Sequence, residues 1–155
     1  MAIEIERKFL VRGNEWRNQA VGKVYRQGYM YTEHGMTLRA RVVGDQGYLT
    51  IKGPRLGNSR AEYEYEIPLK DAEEMLNSLC TSPLIEKVRY QVHHGKFVWE
   101  VDEFAGENQG LILAEVELDD ENQTVELPEW LGEEVSHDQR YYNSSLSKNP
   151  WKNWS

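Results

Sequence analysis

Short segments in which charged side chains alternate with apolar ones constrain the fold of this chain more than any other feature. Successive side chains of a β-strand point to opposite faces, so each segment would carry one charged face and one apolar face. In EIERKF (residues 4–9), Glu4, Glu6 and Lys8 share one face. Period-two counting predicts about eight strands, at residues 3–11, 23–31, 38–43, 48–52, 60–67, 86–92, 96–102 and 111–118.

The charged faces of these segments are sorted by sign. Arg39 lies with Arg41, and Lys87 with Arg89; the acidic sets are Glu62 with Glu64 and Glu66, and Glu115 with Glu117. For any one segment a solvated strand face is a sufficient explanation. Like charges repel one another and do not help a chain to fold, so several sorted faces together indicate a functional reason for the pattern.

A closed barrel with the charged faces inward would bring these groups together. We therefore predict an α+β, mainly β fold: an eight-stranded antiparallel closed barrel, or tunnel, with a charged interior and room for one small ligand. A few helices are expected to flank it, at residues 14–20, 71–80 and 136–148. Asp71 is the predicted N-cap of the second helix, and its apolar stripe is Ala72, Met75, Leu76 and Leu79. The segment 121–135 is predicted to contain a turn or a single helical turn.

The interior of such a barrel predicts a chemistry. Its cations match a polyanion, because Arg makes bidentate contacts to phosphate oxygens and Lys supplies a point charge. Carboxylates beside them would repel that anion unless they held a divalent cation, and hard oxygen ligands suit Mg²⁺ or Mn²⁺. Phosphoryl transfer is a chemistry that needs both. A module that binds polyphosphate or nucleotide without cleaving it is an alternative, as is a β-rich domain whose charges have no function.

Composition narrows the classes of protein further. The chain has 155 residues, which fits one domain spanning residues 1–155. A net charge of −8 argues against a general nucleic-acid or membrane-surface binder, and Cys80 as the only cysteine excludes a disulfide framework. No signal peptide or bilayer-spanning run is visible, so a cytoplasmic protein is expected and an outer-membrane barrel is disfavoured.

The ordered charge pairs resemble those of a known family. Glu4-x-Glu6-x-Lys8 is similar to the ExExK signature of the CYTH superfamily, the triphosphate tunnel metalloenzymes. The resemblance continues along nearly the whole chain. It includes Arg39-x-Arg41, Lys52 in TIKG, Glu62-x-Glu64 after Arg60, Lys87-x-Arg89, Asp102, Glu115-x-Glu117, and YYNSSL near the C-terminus. The short motif is moderately specific, whereas the ordered set is strongly so.

The resemblance implies a metal-dependent triphosphate hydrolase. Glu4, Glu6 and Lys8 would be catalytic, and the expected substrate-binding residues are Lys8, Arg39, Arg41, Lys52, Lys87 and Arg89. The expected ligands of Mg²⁺ or Mn²⁺ are Glu4, Glu6, Glu62, Glu64, Asp102, Glu115 and Glu117. A metal-held water would attack the terminal phosphorus in line. The roles of Arg60, Glu66, Glu100 and Lys148 stay open.

Members of this family act on different triphosphates. The chain is most similar to the compact bacterial members that cleave inorganic tripolyphosphate; thiamine triphosphatase and nucleoside or RNA triphosphatase are the alternatives. Class IV adenylyl cyclases resemble one another in a His-Phe pair upstream of ExExK, and here only Met1, Ala2 and Ile3 precede Glu4. A cyclase is therefore less expected. The partner would be a small triphosphate-containing molecule, and the protein a monomer or a homodimer.

Overall fold

The computed structural model describes residues 3–154, so residues 1, 2 and 155 of the predicted domain lie outside the described range. Each of the eight predicted strands is observed with small shifts at its ends, and a ninth follows. The strands are β1 (Ile3–Val11), β2 (Gly22–Tyr31), β3 (Thr37–Val43), β4 (Gln46–Lys52), β5 (Ser59–Ile67), β6 (Ile85–His94), β7 (Phe97–Phe104), β8 (Ile112–Glu117) and β9 (Leu131–Glu134). The two α-helices of the described residues are α1 (Leu69–Ser78) and α2 (Asn143–Leu146).

The first eight strands form a closed antiparallel barrel. Their order is β5-β4-β3-β2-β6-β7-β8-β1, and β1 also pairs with β5. The start of β1 closes the barrel against β5, with Glu4 opposite Arg60, while the following residues pair with β8, with Lys8 opposite Glu115. Closure removes the exposed edges that an open sheet would present. The predicted fold class is confirmed.

The ninth strand was not predicted. Leu131–Glu134 pairs with the end of β1, where Phe9 lies opposite Glu134 and Val11 opposite Leu131. The strand has the sequence LGEE, which is too short to show an alternating pattern. Arg7 donates to both carboxylate oxygens of Glu134, at 2.7 and 2.9 Å, and so holds the pairing from the outer side.

The apolar faces of most strands point outward, and other segments of the chain cover part of this outer surface, while Tyr63 and Tyr65 of β5 stay exposed. One cluster joins Trp16, Trp99 and Trp130 over β1, β7 and β8, and it is covered by the 3₁₀ turn Glu15–Gln19 and the segment that leads into β9. A second packs α1 against Ala40 and Val42 of β3. A third cluster differs, because its strand residues lie on the inward face: Ile85 shares the face of Lys87, and Leu113 that of Glu115. The C-terminal segment packs against them at one end of the barrel through Tyr141 and Leu146.

The helices differ from their predicted bounds. Helix α1 begins at Leu69, so Asp71 lies in its first turn and Pro68 takes the N-cap position, where its carbonyl accepts a hydrogen bond from the Ala72 N–H at 3.1 Å. The predicted helix at 136–148 is wrong. The chain forms a 3₁₀ turn at Gln139–Tyr141, passes through an extended Tyr142 and then forms α2. Ser136, which opens the predicted helix in the N-cap position expected from the sequence, instead accepts a hydrogen bond at Oγ from the Lys8 backbone N–H at 3.0 Å.

Candidate active site

The barrel encloses a polar cavity of about 280 Å³. Each of the eight barrel strands contributes at least one side chain to its wall. Every site residue predicted from the sequence lines it except Asp102: Glu4, Glu6, Lys8, Arg39, Arg41, Lys52, Glu62, Glu64, Lys87, Arg89, Glu115 and Glu117. Strand alternation accounts for this convergence, because residues two apart on a strand share a face and closure of the sheet turns all those faces inward.

The register of the sheet places opposite charges next to one another. Lys52 lies across from Glu62, and Arg89 across from Asp102. Cross-strand neighbours of opposite charge attract, so the charges support the pairing even where one strand carries like charges, as β3 does with Arg39 and Arg41. The closest contact of Lys52 is with Glu4 of the next strand but one, at 2.8 Å between Nζ and Oε1.

Carboxylates gather around Glu4. Burial raises the pKa of Glu6 well above its ordinary value, and the negative charges of Glu115 and Glu4 act in the same direction. Burial and Glu4 likewise raise the pKa of Glu62 and of Glu117. Glu4 differs, because Lys52 outweighs the effect of burial and lowers its pKa. The four side chains together concentrate more negative charge than the neighbouring lysine can neutralise.

Glu115 lies where the acidic and basic groups meet. Burial favours its neutral form, but Lys8, Arg89 and Lys87 hold its pKa well below the ordinary value. Its Oε1 is 3.9 Å from Lys8 Nζ. Lys8 also donates to the Tyr141 carbonyl at 3.2 Å, so its ammonium group is fixed from two sides. Glu115 is therefore ionised and close to both sets of groups.

Asp102 lies behind the cavity wall and holds two of its cations. It is almost fully buried, and its Oδ2 is 2.7 Å from Lys87 Nζ. Arg89 donates to both of its oxygens, from Nε at 2.7 Å and from Nη2 at 2.8 Å. Burial would raise the pKa of Asp102, but Arg89 and Lys87 lower it. Burial lowers the pKa of Lys87 to about 7, against the opposing effect of Asp102.

Arg39 and Arg41 are held by different kinds of partner. Arg39 donates from Nη2 to Thr50 Oγ1 at 3.1 Å and to Glu64 Oε2 at 3.3 Å. Arg41 donates from Nε to Gln27 Oε1 at 2.8 Å. Burial, with Arg39 and Arg89 nearby, lowers the pKa of Arg41 to about 9, which leaves it charged at neutral pH.

Several lining residues were missed by the sequence reasoning. Tyr142, Asn143 and Ser144 come from the C-terminal segment, and Arg55 from the loop after β4. The Arg55 guanidinium carbon lies 4.8 Å from the centre of the Tyr142 ring, and Nη2 is 3.8 Å from Glu6 Oε1. Gln27 could have been found, since it shares the inward face of β2 with two tyrosines; the lining set from that strand is Tyr25, Gln27 and Tyr29.

Of the four residues whose roles the sequence left open, two line the cavity and two do not. Arg60 lines the cavity, and it donates to the carbonyls of Gly53 at 2.9 Å and Gly35 at 3.2 Å. Glu100 also lines it and lies 3.2 Å from Arg89. Glu66 and Lys148 are exposed and are not part of the cavity wall.

The donor atoms of the cavity suit a hard divalent cation. As the side chains stand, no three carboxylates, imidazoles or thiols among residues 3–154 converge in the manner of a preformed metal site. Several acids instead contact cations, as Glu4 does with Lys52. The residues still fit, because Glu6, Glu62 and Glu117 have raised pKa values in the excess negative charge near Glu4. A divalent cation would relieve that repulsion, and oxygen ligands are those that Mg²⁺ and Mn²⁺ prefer.

Comparison with known proteins identifies the family. The family model of the CYTH domain matches residues 2–150. The chain belongs to the CYTH family. This CYTH domain is 53% identical to an inorganic triphosphatase of Acetivibrio thermocellus over 99% of each chain. It is 40% identical to an inorganic triphosphatase of Nitrosomonas europaea, over 93% of this chain and 96% of that one.

The solved structure of a protein that is named an inorganic triphosphatase has the same fold. The crystal structure of the inorganic triphosphatase NE1496 superposes with a TM-score of 0.68, at 36% identity, over 95% of both chains. The resemblance inferred from the charge pairs is confirmed. None of the helices described for this CYTH domain is long and apolar enough to cross a membrane.

Proposed function

We propose that the protein hydrolyses triphosphates with the help of Mg²⁺ or Mn²⁺, and that inorganic tripolyphosphate is its best substrate. One observation carries the proposal: eight cations and seven carboxylates line a single cavity of about 280 Å³, the seven acids being Glu4, Glu6, Glu62, Glu64, Glu100, Glu115 and Glu117. Cations alone would suffice to hold a polyanion. The names of the two curated relatives support the choice of substrate.

The cations would bind and orient the phosphate chain. Arg39, Arg41 and Arg89 present planar forks that match pairs of phosphate oxygens, and Lys52 and Lys87 add point charges. Their partners in the wall fix them before substrate arrives, as Asp102 does for Lys87 and Arg89. Preorganised charges of this kind lower the barrier, because no rearrangement is needed as charge shifts towards the leaving group.

Lys8 would act at the reacting phosphoryl group. It lies 3.9 Å from Glu115, and the Tyr141 carbonyl and the Tyr142 ring surround its ammonium group. In that position it would neutralise charge on a phosphate oxygen while Glu4 and Glu6 face the same space. When bound between the carboxylates, the divalent cation would supply charge neutralisation and activation of the attacking water.

Asp102 has a different role in this proposal from the one first expected. Both of its oxygens are engaged by Lys87 and Arg89, and it is absent from the lining of the cavity. We infer that Asp102 positions these two cations. The metal ligands would then be the six predicted glutamates that line the cavity, or a subset of them.

Phosphate release tests the function. We expect hydrolysis of tripolyphosphate with Mg²⁺ or Mn²⁺, no hydrolysis in EDTA, and slower release from ATP and thiamine triphosphate. Faster release from ATP or thiamine triphosphate would mean that the best substrate is an organic triphosphate, while the proposed hydrolysis would stand. Binding of tripolyphosphate without release under all conditions would overturn the hydrolase and favour a binding module.

The domain organisation, cellular location and oligomeric state of the protein are also proposed. Residues 1–155 would form one domain that acts in the cytoplasm as a monomer or a homodimer. Tyr63 and Tyr65 on the outer face of β5 are exposed and provide a surface for a second copy. Nucleic acids and membranes are not proposed as partners, because the net charge is −8 and the cationic groups of the site face the cavity.

A further inference from the structure

We propose that Gln27 and Asn143 are positioning residues, which hold Arg41 and Lys87 in place for substrate without neutralising their charge. The inference rests on the proposed binding of a triphosphate in the cavity. Gln27 is completely buried on β2, and Asn143 is the first residue of α2.

A chain of hydrogen bonds joins the two amides to the two cations. Arg41 Nε donates to Gln27 Oε1 at 2.8 Å, and Gln27 Nε2 donates to Asn143 Oδ1 at 3.3 Å. Lys87 Nζ donates to the same Asn143 oxygen at 2.9 Å. Gln27 Nε2 also lies 3.2 Å from the Tyr29 hydroxyl.

Chemistry fixes the orientation of both amides. A guanidinium and an ammonium group can only donate, so the side chains of Gln27 and Asn143 must turn their oxygens to Arg41 and Lys87. The Gln27 amide nitrogen is then left facing Asn143, where it donates. The network has one arrangement, and it joins one wall of the barrel to the C-terminal segment.

The choice of an amide at Gln27 distinguishes Arg41 from the other predicted cations. Lys8, Lys52 and Arg39 are each within 4 Å of a glutamate, and Lys87 and Arg89 contact Asp102. Arg41 forms no ion pair with any residue of the described range, 3–154. Its guanidinium carbon instead lies 4.9 Å from the centre of the Tyr25 ring.

An unneutralised, fixed cation is useful only if an anion is to be bound. Burying a charge without a counter-charge is unfavourable for folding, so packing alone does not explain Arg41. A neutral acceptor satisfies the Nε–H group, sets the plane of the guanidinium and leaves its charge for the substrate. Asn143 has a related effect at Lys87. Asp102 is shared by Lys87 and Arg89, so one positive charge remains on the three groups, and a carboxylate in place of the Asn143 amide would cancel it.

The test is a pair of changes that keep the shape of Gln27. Gln27→Glu retains an acceptor for Arg41 but adds a negative charge, and Gln27→Met removes the acceptor at similar volume. We measure binding of tripolyphosphate in EDTA by calorimetry, so that no turnover is needed, together with Tm. Gln109→Glu, at an exposed turn position, adds the same charge elsewhere on the molecule and is the matched control.

We expect Gln27→Glu to weaken binding about tenfold or more while its Tm stays at or above the wild-type value, since a new ion pair forms with Arg41. Gln27→Met should lose both affinity and Tm, and Gln109→Glu should change neither. Wild-type affinity in a folded Gln27→Glu variant would overturn the inference. If the wild-type protein releases no phosphate but Gln27→Glu still weakens tripolyphosphate binding, the hydrolase is overturned and the inference stands.

Asn143→Asp provides a second test that does not depend on the barrel interior tolerating a change at Gln27. Asn143 is only partly buried, so the variant is expected to fold. A carboxylate placed 2.9 Å from Lys87 would neutralise it and weaken tripolyphosphate binding, again by about tenfold. In the activity assay KM should rise more than kcat falls, because the bound substrate and the transition state lose the same contact. Unchanged binding in this variant would exclude a positioning role for Asn143.

Discussion

Glu6 lies beside two other carboxylates, Glu4 and Glu115, in the wall of the cavity. Its nearest cation is Arg55, with 3.8 Å between Nη2 and Oε1. The pKa of Glu6 is raised well above the ordinary value of 4.5. At pH values between 4.5 and the raised pKa, Glu6 therefore keeps its proton in the folded state and loses it in the unfolded state. In this window stability falls as the pH rises.

Replacing Glu6 by Gln should separate its effect on stability from its effect on catalysis. Glutamine cannot ionise, so in EDTA at pH 8 the variant should melt at least a few degrees above wild type, and this gap should close as the pH falls through the raised pKa towards 4.5. Turnover of tripolyphosphate should fall by at least about 100-fold if Glu6 holds the metal.

Thermal melts from pH 4 to 9 and phosphate release with Mg²⁺ measure these two effects. Glu133→Gln, at an exposed position of β9, is the control for the change of net charge and should match wild type in both. A Glu6→Gln variant that turns over tripolyphosphate at the wild-type rate would remove Glu6 from the proposed metal site.

At the scale of single elements, the alternating strands were predictable and the segments between them were not. Lys8 and Arg39 could be assigned to the interior, because the alternation of charged and apolar residues within one strand shows which side chains share a face. Asn143 and the strand β9 depend on contacts with distant parts of the chain. Asn143 reaches Lys87, 56 residues away, and β9 pairs with β1. The residue types next to Asn143 or within β9 do not predict either contact.

Helix α1 shows how a correct pattern can still misplace a residue. Leu76 of the predicted apolar stripe is 3% exposed and belongs to the cluster with Ala40 and Val42, whereas Leu79 is 64% exposed. The reason is that α1 ends at Ser78, so Leu79 lies at its C-cap and no longer follows the buried face.

Truncating Leu76 should destabilise the protein far more than truncating Leu79. Leu76→Ala should lower the free energy of unfolding by about 2–4 kcal/mol, because it leaves a cavity between α1 and β3. Leu79→Ala should change it by less than about 0.5 kcal/mol. Urea denaturation measures both. Equal losses would mean that α1 does not cover the barrel as described.

At the scale of the whole molecule, the charge of the surface and the charge of the cavity act in opposite directions. The chain carries a net charge of −8, while eight of its 18 Lys and Arg side chains line one enclosed space together with seven glutamates. The acidic surface disfavours non-specific binding of polyanions, and a short anion that enters the cavity meets fixed cations. Selection for anions small enough to enter the barrel follows from this separation of charge.

A ligand that binds only the folded barrel must stabilise it. A methylene-bridged tripolyphosphate analogue, which cannot be hydrolysed, should raise the free energy of unfolding by about 2.7 kcal/mol at 100 times its Kd, or about 5–10 °C in Tm for a domain of this size. The shift should be larger with Mg²⁺ than in EDTA, since the metal would neutralise the carboxylates that otherwise repel the analogue. Thermal melts with sulfate at the same ionic strength control for general screening. An equal shift with sulfate, or none with the analogue, would mean that the cavity does not bind a triphosphate and that its charges are held together for another reason.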